Sequence, residues 1–522
     1  MSENSRMTKA AGVVGAATLL SRIFGLVRDV VLAWLFGAGM AADAFFVAFR
    51  IPNLLRRLFA EGSLTISFIP VFTEYLYKHG REEAFKLARS SWWLLAIILA
   101  AVSVVGVLLA PLIVKVIGYG FSSFPEKYNL TVVLTRIMFP YIFFIGLVAL
   151  CMGILNAFGH FAAPAFAPVL LNLAIISAAI LLAPRMEKPA VGLAIGVMIG
   201  GGLQLAFQIP FMVRKGFHLL VRSPLYHNAV RRIAALMAPA VPGAAVYQFN
   251  ILVGTVLATL LPEGSVSFLY YADRLVQFPL GVFAISLATA VLPSLSKQAA
   301  VDDMEGLRSS FSYALKLVFF ISIPAMTGLI VLREPIVRLL FQRGAFDPIT
   351  TRLTAEALLY YALGLWAFSG VRIVVTAFYA LQDTRTPLKI AIISILVNIL
   401  LSILLMGPMR HAGLALATSI ASGVNLVLLL WVVRKRLEGT IGARDILGSV
   451  LKSTVSAAVM GCVIVFLASW ATPKCTGSTW HLVVWVLGSV VVGSLLYGTC
   501  AFLLRSRELV AMVDIVRGNL RK

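Results

Sequence analysis

Ten ionisable residues stand inside stretches that are otherwise apolar: Arg22, Arg28, Asp29, Asp43, Arg50, Arg56, Arg57, Glu61, Asp273 and Arg274. Six are cations and four are anions. Arginine cannot escape burial by losing its proton, because its pKa exceeds about 12. If each anion neutralises one cation, about two positive charges remain where an unpaired charge is expensive. An anionic ligand supplies the missing partner. Phosphate is the natural class, since guanidinium forks hold phosphate oxygens bidentately. The competing reading is that the ten residues pair among themselves and only lock helices together. Enzyme chemistry finds little here: His79, His160, His218, His227, His411 and His481 are scattered near expected helix ends, and no HExxH motif occurs.

Spacing says how helices would present these groups. On an ideal helix Arg22 and Asp29, seven residues apart, share a face, whereas Arg28 points about 240° around from Arg22. Asp43, Arg50, Arg57 and Glu61 fall on one stripe if their helix is straight, with Arg57 and Glu61 at the favourable i, i+4 spacing. Pro52 interrupts that stripe, which leaves open whether Arg56 or Arg57 faces the interior.

The positioning elements are membrane helices. Of 522 residues 60% are hydrophobic and 13% charged, against roughly 25% charged in an average soluble domain. Mean hydropathy is +0.95. A span takes about 20 predominantly apolar residues, and such windows recur along the chain. We count fourteen, from 10–36 to 480–504, and expect an all-α polytopic membrane protein. The first window exceeds a signal-peptide core and lacks a small-residue cleavage pattern, so it is expected to be retained. The net charge of +22 gathers in alternate loops and both ends, as the positive-inside rule requires. That placement puts both termini in the cytoplasm and removes the need for a nucleic-acid partner. Cys151, Cys462, Cys475 and Cys500 lack CxxC or metal-ligand spacing and read as packing residues.

The chain repeats itself at a shift of 223 residues. "SFIPVF" around Pro70 matches "AVLPSL" around Pro293, "LIVKVI" at 112–117 matches "PIVRLL" at 335–340, and "AFGHFAAP" ending at Pro164 matches "ALQDTRTP" ending at Pro387. The shift carries span 1 onto span 7 and span 6 onto span 12. It predicts two parallel six-helix lobes, 1–222 and 223–440, followed by an extra helix pair in 441–522. Parallel repeats relate by an axis along the membrane normal, an arrangement found in transporters that rock around a central site. Arg22 and Arg28 map onto Ala245 and Ile251, so the charge belongs mainly to the first lobe, with Asp273 and Arg274 added from the second. The amphipathic stretch "REPIVRLLFQRGAFDPIT" at 333–350 suits either the outer interface or an exit gate.

"SRIFGLVRD", "FGAGMAADAFFVAFRIPNLLRRLFAEG" and "YYADRLVQFPLGVF" closely resemble the MurJ (MviN) lipid II flippases of the multidrug/oligosaccharidyl-lipid/polysaccharide exporter superfamily. The resemblance covers the whole chain and implies fourteen helices in the bacterial inner membrane. It implies transport of lipid II, the undecaprenyl-pyrophosphate precursor of peptidoglycan, to the outer leaflet by alternating access around a cationic cavity. The family's substrate-binding arginines fall on Arg22, Arg28, Arg56 and Arg274, with Asp29, Asp43, Asn53, Arg57, Glu61 and Asp273 as supporting cavity or gate residues. The last two spans would form a groove for the lipid tail. Expected partners are lipid II, membrane lipids and proteins of cell-wall synthesis or division, with the chain acting as a monomer and without cofactor.

Some relatives bind sodium through carboxylates on helices matching spans 7 and 11. This chain offers Asn250 in span 7, Asn398 and Ser402 in span 11, and Thr418 in span 12, all neutral oxygens and therefore a weak site for a hard cation. Membrane potential is the expected drive, since that field is worth about 2.3 kcal/mol per charge per 100 mV. The competing functions are another exporter of the superfamily, for drugs or an O-antigen lipid, and a non-transporting cell-wall scaffold.

Overall fold

In the computed structural model, the described residues are 3–58, 64–219, 221, 224, 227–437, 442–471 and 479–510. They form helices and turns, with no strand among them. In chain order the helices are α1 Glu3–Phe36, α2 Met40–Leu58, α3 Leu64–Lys78, α4 Gly80–Leu108, α5 Ala110–Ile117, α6 Pro125–Met138, α7 Tyr141–Ala157, α8 Ala162–Leu181, α9 Pro189–Arg214, α10 Asn228–Thr259, α11 Ser265–Pro279, α12 Ile285–Ala300, α13 Met304–Val331, α14 Arg333–Phe341, α15 Pro348–Ala362, α16 Leu365–Ala380, α17 Arg385–Arg436, α18 Ala443–Ala471 and α19 Thr479–Leu503.

Nine helices among the described residues are long and apolar enough to cross a membrane, or ten if α15 and α16, bent by 42°, count as one span. Helix α1 carries Arg22, Arg28 and Asp29, and α2 carries Asp43, Arg50, Arg56 and Arg57. Both are outside that count, because the charges that suggest a binding site are the ones that spoil an apolar window. Helix α17 is 52 residues long and contains Arg410 at φ 50°, ψ −131°, a conformation that L-residues rarely adopt. Pro408 precedes the break.

The repeat is visible in the element boundaries. Pro125 and Pro348 open α6 and α15, Ala157 and Ala380 close α7 and α16, and Ala162 and Arg385 open α8 and α17, each pair 223 residues apart. The short α5 and α14 each follow a long helix at corresponding places. By compactness the chain forms two units, Met1–Ser267 with Arg343–Phe346, and Phe268–Gln342 with Asp347–Lys522. The expected lobe limits at 222/223 and 440/441 fall at or next to residues outside those described, and α10 groups with the first unit.

Within the first unit, α8 and α9 pack through small residues. A Cβ on Gly192 would stand 2.8 Å from Ala183 Cα, one on Gly196 2.5 Å from Ala178 Cβ, and one on Gly200 2.7 Å from Leu171 Cδ1. In lipid there is no hydrophobic drive between helices, so this close approach is what gains dispersion energy. It fixes α8, and α8 supports α1 on its other side, as the Arg28–Asn172 contact below shows.

Residues 343–346 cross back onto the end of α1, where the Ala345 amide donates to the Trp34 carbonyl at 2.9 Å. Gly37 has φ +57°, and a Cβ there would lie 2.3 Å from the Ala345 carbonyl oxygen. A side chain at position 37 therefore strains the backbone and pushes the strap away. Gly37→Ala is expected to raise labelling of a cysteine placed at position 345 by a membrane-impermeant thiol reagent; unchanged labelling would mean the strap tolerates the methyl. Earlier in the same segment, Val337 and Phe341 of α14 are fully buried, and the Phe341 ring lies 5.1 Å from that of Tyr271 within the second unit. The apolar side of this amphipathic stretch is thus covered by protein.

In the second unit, loop aspartates cap helix starts. Asp303 accepts from the Gly306 amide at 2.9 Å and Asp347 from the Thr350 amide at 2.7 Å, and the latter bond holds the Asp347 carboxyl below its ordinary range. Asp383 is raised by burial, but bonds from Thr386 and the Arg436 charge outweigh this and keep it low.

Candidate functional site

The charged residues of α1 and α2 lie in the first unit, and Asp273 and Arg274 lie in the second. Glu61 lies outside the described residues. Arg22 is exposed while Arg28 is 9% exposed, so the two arginines do occupy different sides of α1, as their helical phase requires.

Arg28 is held at more than one edge. Its Nε and Nη2 donate to Asp29 Oδ1 at 3.0 and 2.7 Å, and its Nη1 donates to Asn172 Oδ1 at 3.1 Å. Asp29 is 2% exposed and Asn172 6%. A guanidinium fixed this way keeps its direction without rearranging when a ligand arrives, which lowers the ordering cost of binding. The pair is formally neutral, so Arg28 presents directed N–H groups rather than bare charge.

Helix α2 runs unbroken through Pro52 from Met40 to Leu58. Its N-terminal half is built around Asp43, which is 1% exposed. Asp43 Oδ2 accepts from Lys127 Nζ at 2.7 Å and from the Gly264 amide at 2.9 Å. Oδ1 accepts from the Ser267 amide at 3.0 Å and the Ser267 hydroxyl at 2.6 Å. Asp43 thus supplies, from another helix, the cap that the first-turn N–H groups of α11 need. Lys127 is itself 5% exposed and lies 4.3 Å from the centre of the Phe121 ring. Counting cations against anions in the sequence overlooks Lys127, because it sits at the edge of an apolar window and reads as a loop charge.

Farther along α2, Arg56 Nε and Nη2 donate to Asn53 Oδ1 at 3.1 and 3.0 Å. Arg57 is half-buried and has no carboxylate partner among the described residues. In the second unit Arg274 Nη2 donates to the Tyr270 hydroxyl at 3.1 Å, with the guanidinium carbon 4.8 Å from that ring's centre. Asp273 accepts from Gln277 Nε2 at 3.2 and 3.4 Å. Asn53 and Tyr270 are thus neutral partners that orient Arg56 and Arg274.

Of the neutral oxygens considered for an ion, Asn250 is on α10 in the first unit and Asn398, Ser402 and Thr418 are on α17 in the second. Asn398 and Ser402 are buried at 7% and 3% exposure. The Thr418 hydroxyl donates to the Leu414 carbonyl at 2.9 Å, within its own helix.

Comparison with known proteins gives these residues a context. A solved structure titled lipid II flippase MurJ in an inward closed conformation superposes with a TM-score of 0.78 at 30% identity, covering 94% of this chain and 98% of its own. A multidrug resistance MATE family transporter of the MOP superfamily, inward-facing, gives 0.69 at 17% identity over 82% of this chain and 98% of its own, which is likeness of fold. The probable lipid II flippase MurJ of Vibrio cholerae is 40% identical over 433 residues, 82% of each chain. That of Haemophilus influenzae is 35% identical over 508 residues, 94% of this chain and 98% of the relative. The family described as lipid II flippase MurJ matches residues 32–485, a range that includes Asp43, Asn172 and Arg274, and with that match and these relatives the chain belongs to the MurJ family of lipid II flippases.

Proposed function

We propose that this protein carries lipid II from the cytoplasmic to the outer leaflet by alternating access of two lobes, binding the pyrophosphate with Arg22, Arg28, Arg56 and Arg274. The observation that carries the site is Arg28: a buried guanidinium, oriented by a carboxylate and an amide, in a chain of the MurJ family. The activity is transport rather than catalysis. Asp29, Asn53 and Asp273 support the arginines or their neighbours, Asp43 closes the outer end, Arg57 extends the stripe along α2, and Glu61 is a further supporting residue.

The fourteen-span reading is supported by adding the charged α1, the α2–α3 pair and α10 to the apolar helices, and by dividing α17 at Arg410. The parallel two-lobe arrangement is supported by the 223-residue periodicity of helix ends. On this reading both termini are cytoplasmic, α18 and α19 form the lipid-tail groove, the chain works as a monomer in the inner membrane without cofactor, and cell-wall synthesis or division proteins are its neighbours.

A reconstituted lipid II translocation assay tests the whole reading. Transfer of an O-antigen lipid or a drug in place of lipid II would favour the other exporters of the superfamily, and no transfer at all would favour a scaffold. We take membrane potential as the drive, because the oxygens at Asn250, Asn398, Ser402 and Thr418 are neutral and sodium favours carboxylates. Collapsing the potential at fixed sodium is expected to slow exposure of lipid II in the outer leaflet; unchanged exposure would remove potential as the driver.

A further inference from the structure

The buried amide of Asn172 faces α1 from the middle of α8 and makes two bonds to it. Its Oδ1 accepts from Arg28 Nη1 at 3.1 Å, and its Nδ2 donates to the Ser21 carbonyl at 3.2 Å. Those two contacts are seven residues apart along α1. One amide can reach both because helical side chains lean toward the N-terminus, so the Arg28 side chain runs back over the preceding turn. Gly25 lies beneath the amide on that turn, where a Cβ would stand 3.7 Å from Asn172 Nδ2.

The division of labour on the guanidinium is specific. Asp29 takes the edge formed by Nε and Nη2, and Asn172 takes Nη1. Asp29 is the next residue on the same helix, so it neutralises Arg28 but moves with it. Asn172 comes from α8 and ties the direction of the side chain to the wall of the first unit. An amide does this without adding charge. A carboxylate at the same place would make the cluster anionic and would set an oxygen against the Ser21 carbonyl.

We propose that Asn172 is a positioning residue for lipid II transport, acting through Arg28 to aim its guanidinium at the pyrophosphate; this rests on the reading of Arg28 as a pyrophosphate ligand. The test is a double-mutant cycle on lipid II binding to the purified full-length protein in nanodiscs. Asn172→Ala is expected to weaken binding ~5-fold, the scale of freeing one long side chain. Arg28→Ala is expected to weaken it ~30-fold, as for a lost charge-assisted contact. The double variant should bind no more weakly than Arg28→Ala alone, and Asn172→Gln, which keeps both amide groups, should recover part of the loss.

If Asn172→Ala weakens binding equally with and without Arg28, the amide merely packs α8 on α1 and the proposal is overturned. If Asn172→Ala leaves binding unchanged while Arg28→Ala weakens it, the proposal fails and the reading of Arg28 stands. If Arg28→Ala binds lipid II as the unaltered protein does, the reading of Arg28 itself has failed. Should Asn172→Ala not fold, Asn172→Gln and Asn172→Ser in the two backgrounds give the same cycle.

Discussion

An Arg28→Ala protein inserts into the membrane but does not move lipid II. The expected loss is complete at the sensitivity of a leaflet-transfer assay, because the substrate loses its oriented donor and gains a repelling neighbour. Asp29, 2% exposed, would remain beside the pyrophosphate without the guanidinium that it accepts from at 2.7 Å. Orphaning one member of a buried pair typically costs 3–5 kcal/mol, or about that much, so a stability control is required. The paired variant Arg28→Ala with Asp29→Ala removes both charges together and is expected to melt nearer to the unaltered protein while transporting no better than Arg28→Ala. Arg28→Lys keeps the charge but loses the planar fork, and should retain a small fraction of activity. Arg274→Ala is expected to fail likewise, because Arg274 is also held in orientation, by the Tyr270 hydroxyl and ring. Normal leaflet transfer by Arg28→Ala or Arg274→Ala would sink the mechanism.

The parts of this site that the sequence reveals are those with local signals. Arginines inside apolar windows, their phase on a helix and the 223-residue repeat all depend on spacing along one chain. Helix ends at Ala157 and Ala380, and helix starts at Pro125 and Pro348, follow that repeat. What spacing does not reveal is who partners whom. Lys127 meets Asp43 across 84 residues and Asn172 meets Arg28 across 144. Lys127 sits where an apolar window begins, so hydropathy assigns it to a loop although it is 5% exposed. Asn172 had a usable signal, a lone amide in the apolar run "APVLLNLAIISAAI". A buried amide in lipid needs partners, and an arginine-bearing helix is the place to seek one. The charge balance changes accordingly: Asp43 is bonded to a lysine outside the ten charged residues, and Arg28 is neutralised by its own neighbour. On the proposed reading, anion recognition in the first unit depends on directed N–H groups at Arg28 as well as on net positive charge.

Asp43→Ala is expected to lower the stability of the purified protein by about 3–5 kcal/mol, the largest loss among single substitutions considered. The carboxylate satisfies four donors, from Lys127, the Gly264 amide and both the amide and hydroxyl of Ser267. Its removal leaves a lysine 5% exposed without its anion, and leaves first-turn amides of α11 without an acceptor. Each such orphaned donor costs about 1–3 kcal/mol. Lys127→Met should be milder. It takes away the buried charge, keeps an apolar stem against Phe121, and leaves Asp43 bonded to Gly264 and Ser267 at the positive end of α11. Asp43→Asn falls between them, because one amide oxygen replaces two carboxylate oxygens and its NH2 group would face donors. Thermal melts should therefore rank Lys127→Met above Asp43→Asn, and Asp43→Ala lowest. The double variant Asp43→Ala with Lys127→Met should melt above Asp43→Ala alone, since the stranded ammonium is gone. If Lys127→Met melts as low as Asp43→Ala, the ion pair rather than the helix cap dominates at Asp43. If the double variant melts lower than Asp43→Ala, the stranded charge is not what destabilises it.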